Sequence, residues 1–205
     1  MNGGHRVLLI SALTVILAGC VDMHPTRSGF LTDYDQLQPL GKRDRIRLMP
    51  VDPAALENVD SFYIETVAWL ADDLGQPASS DNKRAAITEA LQFALAKELE
   101  PIRPVVGAIG PRTALVRAAV TGVRESKPLA NLALLIQTGP LFNGAASAEI
   151  EVISPDGVQI AAESVAYRGY EWDLIGFFFR SKHAESAMRR AARRLADDLE
   201  PDCSE

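Results

Sequence analysis

The sequence predicts an α+β domain in which a mostly antiparallel, mixed sheet of about five or six strands carries two amphipathic helices on one face. Two observations lead to this expectation. Segments with alternating apolar and polar residues recur between residues 45 and 162, and two longer segments repeat apolar residues every three or four positions. The chain has 205 residues, of which 47% are hydrophobic, which is sufficient for one domain with its own core.

Composition excludes several classes of protein. The chain has too many apolar residues and too few charges for a disordered protein. Two cysteines are too few for a disulfide scaffold, and a mean hydropathy of +0.02 is too low for a polytopic membrane protein. The net charge of −6 argues against nucleic acid as a partner.

The first residues have the pattern of a secretion signal. An apolar run at residues 7–17 follows the charged Arg6. It is shorter than the roughly 20 residues that cross a bilayer, but it matches a signal-peptide core of roughly 7–15. The run ends in Leu17-Ala18-Gly19-Cys20, the pattern of a bacterial lipobox. We therefore expect residues 1–19 to be a lipoprotein signal peptide. Leu17, Ala18 and Gly19 would be the residues that the signal peptidase recognises.

Cys20 is accordingly the predicted lipidation site. Its thiol would carry diacylglycerol, and its freed amine would carry a further acyl chain such as palmitate. Three chains make a stable anchor, whereas one binds a membrane only marginally. By the sorting rules of enterobacteria, Val21 in the next position favours the outer membrane, facing the periplasm, while Asp22 leaves the inner membrane open. An ordinary cleaved signal and a buried N-terminal helix are the alternatives.

Residues 20–43 form the predicted lipidated N-terminus and tether arm, since two prolines and two glycines interrupt them. Apolar side chains within the arm, such as Leu31 and Leu37, would let it pack onto the domain. The globular domain is expected to span residues 44–200, followed by a tail at 201–205. Cys203 in that tail would lack an intrachain partner if Cys20 is acylated.

Strand and helix patterns follow one another along the domain. Residues 45–49 and 61–70 alternate as strands do, and residues 81–99 have helical spacing that Pro101 ends. Residues 105–106 and 113–123 suggest a hairpin. A second hairpin is centred on Ser154-Pro155-Asp156-Gly157.

In the second hairpin, one face is expected to be dry and the other to face water, with Glu149, Glu151 and Glu163 on the wet face. The C-terminal segment, about residues 181–200, predicts the second amphipathic helix.

Several of these segments, in this order, resemble a family of proteobacterial lipoproteins known as domain of unknown function 3313. The arm contributes Ser28-Gly29-Phe30-Leu31-x-Asp33-Tyr34-x-x-Leu37-x-Pro39, and a strand contributes Val67-Ala68-Trp69-Leu70. Lys127-Pro128-Leu129 and residues 145–151 complete the resemblance. The family implies an anchored α/β periplasmic domain. It implies no catalytic residue.

The sequence contains few patterns that are typical of catalytic or metal-binding sites. The sequence lacks a nucleophile elbow, a phosphate-binding glycine loop and a zinc-binding helix motif, so we predict no enzyme activity, no cofactor and no metal site. His183 and the Asp72-Asp73 pair are the remaining candidates for an envelope hydrolase. A solvated histidine at a helix start and a polar strand exit explain them more simply.

Two sets of residues suggest a partner surface instead. The segment 170–179 is rich in aromatic residues, and the C-terminal helix carries four arginines within six residues. Either set would also fit an ordinary surface or sheet cover. The candidate partner surface consists of Tyr170, Trp172, Phe177, Phe178, Phe179, Arg189, Arg190, Arg193 and Arg194.

These patterns favour a lipid-anchored envelope lipoprotein that docks onto another envelope component without chemistry of its own. Its expected partners are the membrane, through the lipid, and an envelope protein; the sequence leaves the oligomeric state open. A small-molecule or lipid binder is the alternative, with the apolar segment 129–142 as a lid over its pocket. An envelope hydrolase is the least favoured class.

Overall fold

One twisted sheet organises the chain in the computed structural model, which describes residues 23–41, 45–51, 53–124, 145–168 and 182–200. The spatial order of the strands is β1-β2-β7-β6-β5-β3, and β4 follows β3 along the same edge of β5. In chain order the strands are β1 (Gln38–Pro39), β2 (Ile46–Met49), β3 (Ser61–Ile64), β4 (Ala68–Trp69), β5 (Thr113–Arg124), β6 (Ala145–Ile153) and β7 (Gln159–Arg168).

Two long helices cover one face of the sheet, which confirms the predicted α+β class. They are α2 (Asp81–Leu99) and α3 (Lys182–Leu199), and a single helical turn, α1 (Pro53–Leu56), precedes β3. No helix within the described residues is both long enough and apolar enough to span a bilayer. The apolar stripes of α2 and α3 meet the inner side chains of β5, β6 and β7 in the main core.

The edge of the sheet next to β5 differs from the expectation. We expected one strand over residues 61–70 and a hairpin in which residues 105–106 pair with residues 113–123. Instead, β3 and β4 are separate short strands, and both pair with β5 in parallel. Val105 forms only an isolated parallel bridge to Phe62. The crossover through α2 makes this parallel pairing feasible, because parallel neighbours need a long connection.

The hairpin of β6 and β7 forms as predicted, with Gly157 at φ 81° in its turn. An irregularity in the pairing near Val152 and Ile153 changes which side chains of β7 point toward the helices. Val152 pairs with Ala161, whereas Ile153 pairs with Gln159. Glu163 consequently lies opposite Ile150, on the side of the helices. The expectation that Glu163 faces water was wrong because one extra residue inverts the alternation.

The sheet face opposite the helices is also covered, so the face that was predicted to contact water is buried. Glu149 and Glu151 on β6 are both 0% exposed. The arm lies across them, with Leu31 and Leu37 buried in a small second core against Ala162. Alternation correctly placed the two glutamates on one face. It could not show that a distant segment of chain covers that face.

Candidate functional site

The most specific polar contacts in the structure join the arm to the central strand β6. The Ser28 amide and hydroxyl both donate to the Glu149 carboxylate, at 3.1 and 2.5 Å. The Tyr34 hydroxyl donates to the same carboxylate at 2.7 Å. Burial and this hydrogen bond to Glu149 raise the pKa of Tyr34 above its ordinary value of 10.0.

Glu151, two residues further along β6, holds the next part of the arm. It accepts a hydrogen bond from the Thr32 amide at 2.8 Å and pairs with Arg117 at 2.6 Å. The Arg117 guanidinium also lies 4.7 Å from the centre of the Phe30 ring. Each charge on this face therefore has a partner, as burial requires.

Gln159 and Ser164 on β7 complete these contacts. The Gln159 amide group donates to the Asp33 carbonyl and accepts from the Asp33 amide, both at 2.9 Å. The Ser164 hydroxyl donates to the Thr26 carbonyl at 2.8 Å. We call the contacts of residues 26–34 with Glu149, Glu151, Gln159 and Ser164 the arm clasp.

The arm enters the structure at one end of the sheet. Met23 lies near Gly122, where a Cβ would sit 3.5 Å from the Met23 methyl group and 2.7 Å from the Ser147 hydroxyl. Glycine is needed there because of this close approach. The register pairs Arg124 with Ala145 and Ala145 with Arg168, so these strand ends lie at the same end. We call it the arm end of the sheet.

Both long helices begin at the arm end. In α3, Arg190 lies over the ring of Tyr167, and Arg194 and Asp198 act electrostatically on Glu163, so α3 runs antiparallel to β7. Helix α2 runs parallel to α3, because Ile102 just after α2 and Leu199 at the end of α3 line the same cavity. The far end of the domain therefore holds both helix C-termini.

A cleft of about 540 Å³ lies between these helix C-termini. Phe62, Ile102 and Leu199 contribute apolar walls. Arg103 also lines the cleft, but its guanidinium donates to the Val59 and Ile102 carbonyls. Four acidic residues line it as well, and we call it the acidic cleft: Glu57, Asp197, Asp198 and Glu200. The Asp198 carboxylate already pairs with Arg194 at 2.8 Å.

A second cavity, of about 420 Å³, lies between α2 and α3, and we call it the helix groove. Phe93 on α2 lines it and is 72% exposed, while the neighbouring Leu91 and Leu95 are completely buried. The other residues lining it are Ala90, Ala94, Lys97, Glu98, Ser186, Arg189, Arg190 and Arg193. Phe93 is not among the residues predicted from the sequence. The feature that could have indicated it is an aromatic side chain outside the apolar stripe of its helix.

The four arginines of α3 do not share one environment. Arg189 and Arg193 point outward, with side chains 57% and 66% exposed. Arg190 lies over Tyr167, and Arg194 donates to Asp198 at 2.8 Å. The structure thus leaves two of the four exposed at the helix groove and turns two toward the rest of the domain, although Arg190 also lines the groove.

The remaining predicted residues are paired, exposed or outside the described part of the chain, and Asp73 is exposed. Asp72 forms an ion pair with Arg84 at 2.6 Å. Residues 1–22, the segments 125–144 and 169–181, and the tail 201–205 lie outside the description, as does the side chain of His183. The predictions for the lipobox, Cys20 and the aromatic set therefore stay predictions. Within the described ranges, no cluster of three or more histidine, cysteine or acidic residues could hold a metal ion.

Glu163 is a buried carboxyl group beneath α3 with no hydrogen-bond partner among the described residues. Burial raises its pKa well above 4.5, and the nearby Asp198 carboxylate raises it further, while Arg194 acts in the opposite direction. Burial and the negative charge of Glu163 also raise the pKa of Tyr167, to about 12.

Fold and contacts together define a class of α+β domain whose N-terminal arm is clasped to the outer face of its sheet. The chain belongs to the family described as protein of unknown function (DUF3313), whose model matches residues 26–195. That range begins with the first residue of the arm clasp and ends in α3.

Among solved structures, the chain is similar to a PelC dodecamer from Paraburkholderia phytofirmans, with 11% identity and a TM-score of 0.48, over 75% of this chain and 95% of that one. A variant of the same PelC gives 13% identity and a TM-score of 0.46, over 76% and 98% of the two chains. A structure described as an uncharacterised protein gives 13% and 0.42, over 70% and 93%. No curated protein matches the chain.

Replacing Glu149 by leucine is expected to release the arm, because the Ser28 and Tyr34 donors lose their acceptor. Their loss should weaken arm docking by about 2 to 4 kcal/mol, which corresponds to about 30- to 1000-fold faster trypsin cleavage after Arg27. Mass spectrometry of the first cleavage products measures this. The exposed Glu89→Gln variant is the control. Cleavage at an unchanged rate would show that Glu149 does not hold the arm.

Glu163 should make stability depend on pH. Because folding raises its pKa, its contribution is fully present below pH 4.5 and is lost as pH rises through the folded-state pKa. In Glu163→Gln this loss is absent, so the variant should gain stability relative to the unmodified protein as pH rises. Urea unfolding from pH 4 to 9 tests this, with Glu89→Gln as control. Parallel stability curves would contradict the assignment.

Proposed function

We propose that this chain is a lipid-anchored lipoprotein of the outer membrane, facing the periplasm, and that it serves as a non-enzymatic docking module for an envelope complex. The arm clasp is the observation that supports this best. Its first contact, from Ser164 to Thr26, comes only six residues after Cys20. Six extended residues span at most about 20 Å. A lipid on Cys20 would therefore hold the domain close to the membrane surface.

The position of the arm end supports the same proposal. Strand β5 ends there at Arg124, β6 begins there at Ala145, and β7 ends there at Arg168. The segments with the apolar residues 129–142 and the aromatic residues 170–179 are therefore both attached where the arm enters. A lipid anchor and two apolar segments attached at one end favour a partner that is itself at the membrane.

The docking proposal predicts a lipid-dependent partner. The comparison uses a C-terminally tagged protein with its own lipobox and one whose residues 1–22 are replaced by a signal cleaved without lipidation. After crosslinking in cells and affinity purification, a protein partner should be recovered with the lipidated form and be at least tenfold depleted without the lipid. The lipidated form should fractionate with the outer membrane.

A second part of this experiment tests the aromatic segment, residues 170–179. Replacing Phe177, Phe178 and Phe179 together by serine should lower partner recovery while the urea-unfolding midpoint stays unchanged. Substitution of the exposed Val158 by serine is the matched control. Equal recovery with and without the lipid would refute anchored docking. Equal recovery with the triple variant would refute only this surface.

The acidic cleft favours a second candidate function, the binding of a small molecule that carries an amine. Its apolar walls suit a hydrocarbon body, and Glu57, Asp197 and Glu200 suit a positive charge, while Asp198 already pairs with Arg194. The two helix C-termini add partial negative charge at the same place. This function is independent of docking, since the cleft lies at the far end of the domain from the arm.

The amine function predicts that 1,6-diaminohexane raises the thermal unfolding midpoint, whereas uncharged hexanol at equal concentration does not. The double variant Asp197→Asn, Glu200→Gln should lose most of this shift, because two of the four carboxylates are gone. Glu89→Gln should keep it. A shift that is the same with hexanol, or the same in the double variant, would argue against an amine site.

A further inference from the structure

The helix groove combines features that the fold itself does not require. Phe93 lies in the middle of α2 and leaves most of its ring in water, although burial of a phenylalanine side chain stabilises a folded protein. Ala94 beside it is 3% exposed and forms the bottom of the groove. An exposed ring next to a preformed cavity is a feature of binding surfaces.

Two cations of the groove, Arg189 and Arg193, keep most of their side chains in water. The Arg189 guanidinium lies 3.5 Å from Glu185, and that of Arg193 lies 3.6 Å from Glu98. Both distances are long for an ion pair, and the two arginine side chains are 57% and 66% exposed, so a partner can reach them. A carboxylate that meets an arginine in a bidentate manner would bind more strongly. With Lys97, these two arginines give the groove a positive rim on a chain of net charge −6.

The groove is on the opposite side of the sheet from the arm. Met23 lies at the Ser147 side of β5 and β6, whereas the groove is the outer surface of the helix layer. Residues 20–22 extend about 10 Å at most, and one helix layer alone is about 10–12 Å thick. An anchor on Cys20 therefore does not direct the groove toward the lipid, and the groove stays open to a protein beside it.

We infer that the helix groove binds an acidic amphipathic segment of a protein partner. An apolar side chain of that segment packs on Phe93, and its carboxylates pair with Lys97, Arg189 and Arg193. This inference rests on the proposed docking function and specifies the chemistry of the partner. The positive rim selects an acidic segment, and an amphipathic helix that lays its apolar face into a groove is a common mode of peptide recognition.

The test uses the mature chain with Cys20→Ala and two fluorescent 18-residue helical peptides. One carries leucines on one stripe and glutamates beside it, and the other has lysine at each glutamate position. The acidic peptide should bind, and its Kd should rise at least tenfold in Phe93→Ser and in the double variant Arg189→Gln, Arg193→Gln. Ile109→Ser and Arg112→Gln, also at exposed side chains, are the matched controls.

Several outcomes would overturn the inference: no binding of the acidic peptide, equal binding of the lysine peptide, or equal affinity in all variants. Binding to phosphatidylglycerol vesicles that competes with the peptide would assign the groove to lipid. Concentration-dependent self-association lost in Phe93→Ser would assign it to a second copy.

Thermal unfolding checks that each variant folds, and Phe93→Ser alone decides if the double variant does not. Because this protein carries no lipid, a failure of lipid-dependent docking in cells would leave the result unchanged.

Discussion

The burial of Glu149 and Glu151 on the central strand is the constraint on which the rest of the structure depends. Two carboxylates on a sheet face that is closed to water need hydrogen-bond donors. The chain supplies them from the arm, with the Ser28 hydroxyl and amide, the Tyr34 hydroxyl and the Thr32 amide, and from Arg117 on the next strand. Arm and sheet are therefore one structural unit, and the position of the arm follows from the chemistry of β6.

With the arm clasped at one end, the two ends of the domain differ in their electrostatic character. The arm enters at the end of the sheet where both long helices begin, and the helices end together at the acidic cleft. Parallel helices add their dipoles, which gives partial positive charge near the arm and partial negative charge at the far end. The carboxylates of the cleft reinforce that difference. With the proposed lipid at the arm end, the domain would present different chemistry to the membrane and to the space beyond it.

The three surfaces fit one arrangement of the proposed module. The arm end would lie at the membrane, the helix groove would face sideways, and the acidic cleft would face away from the lipid. Buried Glu163 lies between β7 and α3 and has its pKa raised by burial and by Asp198. The helix layer that forms the groove therefore rests on a carboxyl group that is most compatible with burial when protonated.

The sequence by itself determined the elements: both long helices, the hairpin turn at Gly157 and the alternation that puts Glu149 and Glu151 on one face. These are local properties, because helical periodicity, alternation and turn chemistry are set by neighbouring residues. Tertiary structure alone decided that this face is covered, that β3 and β4 pair with β5 in parallel and that Glu163 points toward the helices. It also separated Arg189 and Arg193 from Arg190 and Arg194. Such outcomes depend on tertiary contacts, which join residues 52 positions apart for Ser61 and Thr113 and 121 for Ser28 and Glu149, or on one extra residue in a strand, and neither leaves a periodic signal.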